Sequence, residues 1–100
     1  IADISPEYPG GLEEMYKYLG RNIKYPEIDR QIGTQGKVYL KFVVEKDGSI
    51  TDLKVIRSLS GGCDKVALSA VKNMPKWKPG MIKGKEVRVQ FTLPVYFKLQ

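Results

Sequence analysis

From position 37 to 45 apolar and polar residues alternate, with Val38, Leu40, Phe42 and Val44 set against Lys37, Tyr39, Lys41 and Glu45. That period of two predicts a half-buried strand, because successive side chains of an extended chain point to opposite faces. Asp47-Gly48 follows, the strongest short-range hairpin signal, since both residue types tolerate positive φ. A return strand is expected from about Ile50 to Ser58, with Leu53 and Val55 on one face. After Gly61-Gly62 the period changes: Cys63, Val66, Ala67, Ala70, Val71 and Met74 form one stripe at helical spacing, and Pro75 stops it. An earlier helix is predicted from Leu12 through Met15, Tyr16, Leu19 and Ile23, ending at or before Tyr25-Pro26. Val87, Val89, Phe91 and Leu93 alternate with Arg88, Gln90, Thr92 and Pro94 in the last strand. Residues 1–10 read as an extended lead-in, the stretch around Gly33 and Gly36 as a loop, and the stretch 80–85 as a basic loop connecting to the last strand. The order helix, strand, strand, helix, strand describes an α+β fold, with two helices on one face of a three-stranded antiparallel sheet. At 100 residues it is a single domain.

Pro94 places the last strand. Without an N–H, a proline within a sheet belongs on an edge with its nitrogen facing outward. Backbone groups turn sideways with the same period of two, so absent a bulge Arg88, Gln90 and Thr92 also face the open edge. Val89, Phe91 and Leu93 then pair inward. An open edge is a template for another strand, and Pro94 is expected to confine pairing to the part before it. Gln90→Pro should therefore spare the fold, and Val89→Pro should break it.

Charge and chemistry narrow the function. The net charge of +6 suits an anionic partner, but Lys and Arg are scattered rather than gathered into one run. No histidine is present, which removes the commonest general base and metal ligand. Cys63 sits on an apolar helix stripe, where a thiol packs as a small hydrophobe. The acidic residues fall in turns and first helical turns and form no metal cluster, so neither catalysis, cofactor nor metal is expected. A small basic sheet domain could bind nucleic acid, with Tyr39 as a stacking residue. The polar face carries few aromatics and no RNA-recognition signature, however. No stretch is long and apolar enough to span a membrane. Starting at Ile1, the chain reads as a piece of a longer protein, with any anchor outside it.

The punctuation taken together resembles the TonB carboxy-terminal family. Its marks are Tyr8-Pro9-Gly10-Gly11, Tyr25-Pro26, Gly36-Lys37-Val38, Phe42-Val43-Val44, Asp47-Gly48, Asp64 with Ala67, the run Met74 to Gly80 and the closing strand from Val87 to Phe97. The resemblance implies the periplasmic domain of an inner-membrane-anchored energy transducer, working with a proton-driven motor pair. Its partner would be the TonB box of outer-membrane receptors, added as a strand to the last strand. Carried over, Arg88, Val89, Gln90, Phe91 and Thr92 would pair with the box, while Asn22, Ile23, Lys24, Tyr25 and Pro26 flank it. Edge strands could also join two copies into a homodimer. Similar domains appended to membrane-bound metallopeptidase sensors are the alternative reading.

Overall fold

The computed structural model describes residues 2–99. Its elements are α1 (Gly11–Asn22), α2 (Glu27–Ile32), β1 (Gly36–Val44), β2 (Ile50–Arg57), α3 (Gly61–Lys72), β3 (Gly80–Ile82), β4 (Lys85–Val87) and β5 (Val89–Phe97). The three long strands form one antiparallel sheet in the order β2-β1-β5, so the last strand lies at an edge, as its proline predicts. Alternation in β1 sends Val38, Leu40, Phe42 and Val44 into the core at full burial. There they meet Met15 and Leu19 of α1, Cys63, Ala67 and Val71 of α3, and Leu93, Val95 and Phe97 of β5. Cys63 is buried, and burial pushes its thiol pKa up, the behaviour of a packing residue.

Local chemistry sets the element boundaries. Ser60 caps α3 by accepting from the Cys63 N–H at 3.1 Å, so Gly61 and Gly62 form its first turn instead of preceding it. Asp64 accepts from the Leu59 N–H at 3.1 Å and from the Ser58 hydroxyl, fixing the entry into the helix. The β1–β2 turn is longer than a two-residue hairpin. Gly48 N–H donates to Glu45 O at 2.9 Å, and Gly48, with φ 87°, makes the left-handed step that returns the chain.

Two expected loops carry regular structure. Pro26 at the start and left-handed Gly33 at the end delimit α2, whose closing bonds run from Gly33 N–H to Arg30 O and from Thr34 N–H to Asp29 O. The basic stretch 80–85 contributes to a second hairpin, β3–β4, turned by Lys83 and Gly84, both at positive φ. The lead-in is likewise tied down: Ile4 pairs with Met81, and Glu7 with Lys78. Val87, expected to open the last strand, belongs to β4, and Arg88 lies between the two strands.

The Trp77 corner closes the core at one end. Its ring is 4% exposed and meets Tyr8, Phe42 and Phe91 edge-on, at centroid distances of 6.0, 5.4 and 5.1 Å. Its indole Nε1 is buried without a hydrogen-bond partner among the described residues.

Candidate functional site: the β5 edge and the groove along α1

The two edges of the sheet differ. On the β2 side the ladder to β1 is broken by register shifts between Tyr39 and Leu40 and between Lys41 and Val43, and Asp52 is forced to φ 52°. Bulges of this kind twist an edge and blunt it against further pairing. The β1–β5 ladder instead runs without a shift from Gly36↔Phe97 to Val44↔Val89. Pro94 stands opposite Tyr39 and cannot join a pair that exchanges two hydrogen bonds. Parity then assigns the bonded pairs to Val89, Phe91, Leu93, Val95 and Phe97. It turns the N–H and C=O of Gln90, Thr92 and Tyr96 toward the open side, together with the C=O of Pro94.

Beside this edge runs α1. Leu12 and Met15 line a hollow of about 240 Å³ together with Tyr8, Trp77 and Phe91. Tyr16, Leu19, Gly20 and Ile23 line a second, of about 430 Å³, with residues 95–98. Helix and strand therefore run in the same direction, with a groove between them. Consecutive strand residues have side chains on opposite faces, so a hollow lined by all of residues 95–98 opens onto the strand's edge. Leu12 and Tyr16 lie on the apolar stripe of α1 yet are 63% and 42% exposed. The groove is the reason, since both line it, with the Tyr16 ring reaching across to stand edge-on to Tyr96 of β5 at 6.5 Å.

The two segments expected at the site lie at opposite ends of this groove. Val89, Gln90, Phe91 and Thr92 occupy the first half of β5, with Gln90 and Thr92 exposed. Arg88 is outside the strand. Its guanidinium grips Glu45 with Nε at 2.6 Å and Nη2 at 3.1 Å from the carboxylate oxygens, and so anchors the start of β5 to the end of β1. Asn22 ends α1, its side-chain amide donating to Tyr18 O at 2.8 Å. Ile23 and Tyr25 line the second hollow, while Lys24 is exposed beside them. The Tyr25 ring stands edge-on to Phe97 at 5.7 Å, its hydroxyl donates to Thr34 O, and burial raises its phenol pKa. Pro26 caps α2. Ile23 and Tyr25 thus flank the half of β5 after Pro94, not the half before it, whereas Pro26 borders a hollow with Gly61 and Gly62 of α3. Sequence reasoning missed the contributors from α1, above all Gly20 and Tyr16, although their helical spacing with Leu12 was visible.

The outer sheet face is uncovered and cationic. Arg57 lies over the Tyr39 ring at 5.9 Å and Lys37 over Tyr96 at 5.3 Å, so both tyrosines already have a cation on a face that a base would need. Among the described residues no group of three His, Cys, Asp or Glu side chains could hold a metal ion, and no helix is long and apolar enough to cross a membrane.

Residues 21–99 match the family model of the Gram-negative bacterial TonB protein C-terminal region. The chain belongs to the TonB C-terminal family. The solution structure of the Helicobacter pylori TonB C-terminal domain is 25% identical, with a TM-score of 0.68 over 88% of this chain and 92% of that one. A second Helicobacter pylori TonB domain structure, also 25% identical, covers 92% of this chain and 87% of its own length at a TM-score of 0.63. The Pseudomonas aeruginosa TonB domain is 27% identical and covers 77% of this chain and 78% of its own, with a TM-score of 0.58. No curated protein gives a significant match. The fold of this TonB-family domain, with its α+β order and edge-placed last strand, is therefore that of its relatives.

Proposed function

We propose that this domain is the receptor-binding module of a TonB-type energy transducer, capturing the TonB box of outer-membrane transporters in the periplasm by strand addition to β5. The observation that carries the reading is the contrast between the edges: β2 is bulged twice, whereas β5 runs unbroken beside an open groove. In strand addition affinity comes from main-chain hydrogen bonds and selectivity from side-chain pockets. With each bond worth about 0.5–1.5 kcal/mol net, a half-dozen bonds supply about 3–9 kcal/mol, and apolar contact in the groove has to add to them to offset the ordering cost. Because the bonds are to backbone, one domain can serve receptors of differing sequence. Pro94 withholds a single N–H, so the captured strand spans it, meeting Gln90 and Thr92 on one side and Tyr96 on the other. That extent brings both Val89–Thr92 and Ile23–Tyr25 into reach of one ligand. Membrane anchoring and contact with the proton-driven motor fall, in this reading, to sequence outside the domain. A homodimer through β5 would compete for the same edge.

Titration of the labelled domain with TonB-box peptides tests this. Amide shifts at Gln90, Thr92 and Tyr96, with smaller ones near Tyr25, are expected. The absence of shifts at those amides at millimolar peptide would sink the reading.

A further inference from the structure

The groove beside β5 is not uniform, and its shape specifies what lies in it. A side chain on an added strand points to the same face as the β5 residue directly opposite. Residues opposite Phe91 and Val95 therefore point inward, one over the hollow of about 240 Å³ and the other over that of about 430 Å³. A cavity of about 150 Å³ already accepts benzene, so each has room for a branched aliphatic or aromatic side chain. Between them Leu93 is 2% exposed and lines neither hollow, so a large residue opposite it has no hollow to enter. Phe97 borders the same second hollow, where the Tyr25 ring already stands edge-on to it at 5.7 Å and takes up part of the approach. Phe91 and Val95, which face the two hollows, stand four residues apart along the strand.

Gly20 and the rim add to the picture. A glycine within a helix is unfavourable relative to alanine, yet a Cβ at Gly20 would meet nothing within 4 Å. Its missing side chain keeps the second hollow open. Lys98 lines that hollow and exposed Lys24 lies beside it, whereas the first is bordered by Glu7.

We propose that this domain selects extended peptide segments carrying two large apolar side chains four residues apart with a small residue midway, an acidic group being preferred next to the apolar residue at the Gly20 hollow. The inference rests on strand addition to β5 and adds to it a sequence preference set by the hollows at Phe91 and Val95.

Its test uses capped synthetic peptides with a threonine background. One carries leucines four apart with serine midway; a second has the same composition with the leucines two apart. The first is expected to bind about tenfold more tightly, the worth of one buried leucine side chain. Gly20→Leu fills the second hollow from the helix and should erase that advantage, while Gly20→Ala keeps most of it. Leu12→Thr, at an exposed position of the first hollow, should also reduce the preference, independently of how Gly20→Leu behaves. Amide shifts at Gln90, Thr92 and Tyr96 report strand addition separately. If those amides shift and the two peptides bind equally, the spacing rule is wrong and strand addition stands. If no peptide shifts them, both fall together.

Discussion

Gly48 shows how much of this fold depends on one atom being absent. A Cβ there would lie 2.0 Å from the Trp77 carbonyl oxygen, and the backbone is already at φ 87°. The contact is close because Trp77 N–H donates to Gly48 O at 2.8 Å, joining the β1–β2 turn to the corner that closes the core. Gly48→Ala therefore imposes a clash with rigid backbone as well as an unfavourable left-handed alanine. It should destabilise by more than about 1 kcal/mol, seen as a lower urea midpoint with little change in slope. Alanine at Gly84, whose φ is 76° with open space around it, should cost less, since only the backbone term applies. Equal losses at the two positions would mean that the Trp77 contact is not what requires Gly48. At the same scale, Glu45 accepts from Arg88 and from the Thr51 hydroxyl, and these hydrogen bonds hold its carboxyl below the ordinary glutamate range. A depressed folded pKa stabilises above the unfolded value, about 4.3, and that contribution is lost as pH falls through the lower folded value. The melting temperature of the native protein should thus exceed that of Glu45→Gln at neutral pH and converge with it in acid. A gap that stays constant down to acid pH would assign the difference to packing.

Among the elements, β5 carries the functional argument, and proline placement can test its register. Gln90 shares parity with Pro94, so Gln90→Pro removes an outward N–H and should leave the domain folded while abolishing peptide capture. Val89 turns out to be the first residue of its strand, a position where proline is tolerated, so it does not give the contrasting result. Leu93, paired with Leu40 in the middle of the ladder, does: Leu93→Pro should unfold the domain. Circular dichroism and peptide titration of the pair check this, and a folded, binding Gln90→Pro variant would overturn the register. The long elements were legible in the sequence because each buries one face. Four inward apolar residues mark β1, the stripe from Cys63 to Val71 marks α3, and Pro94 by itself places β5 at an edge. The rest was hidden because the same signal is missing. The two isoleucines of α2 are 71% and 73% exposed, so no apolar stripe announces the helix, and only Pro26 and Gly33 punctuate it. Strands β3 and β4 are three residues each, too short for alternation to register. For β5, the edge position was legible from Pro94, but which half of the strand lies near Tyr25 depends on how α1 packs, and no local pattern encodes that.

Over the whole molecule the charge of +6 and the uncovered sheet face carrying Lys37, Lys41, Lys54 and Arg57 compete with the groove as explanations of binding. Lys41 stands opposite Lys54 in the β1–β2 register, and among the described residues neither has an ion-pair partner. Like charges in that position cost stability, so this face would attract any polyanion. The two mechanisms differ in their response to salt. Binding to a phosphate backbone through about six contacts loses about a thousandfold between about 50 and 200 mM salt, because counterions are released. Main-chain hydrogen bonds to an uncharged strand release none. Affinity for a neutral peptide should accordingly change by less than about twofold over the same range. Binding to an oligonucleotide should collapse. A steep salt slope for the neutral peptide would mean that the cationic sheet face, and not the β5 edge, holds the partner. A flat slope combined with loss of binding in Gln90→Pro assigns the partner to the β5 edge, because the cationic face predicts a steep slope and the substitution removes a donor from that edge alone.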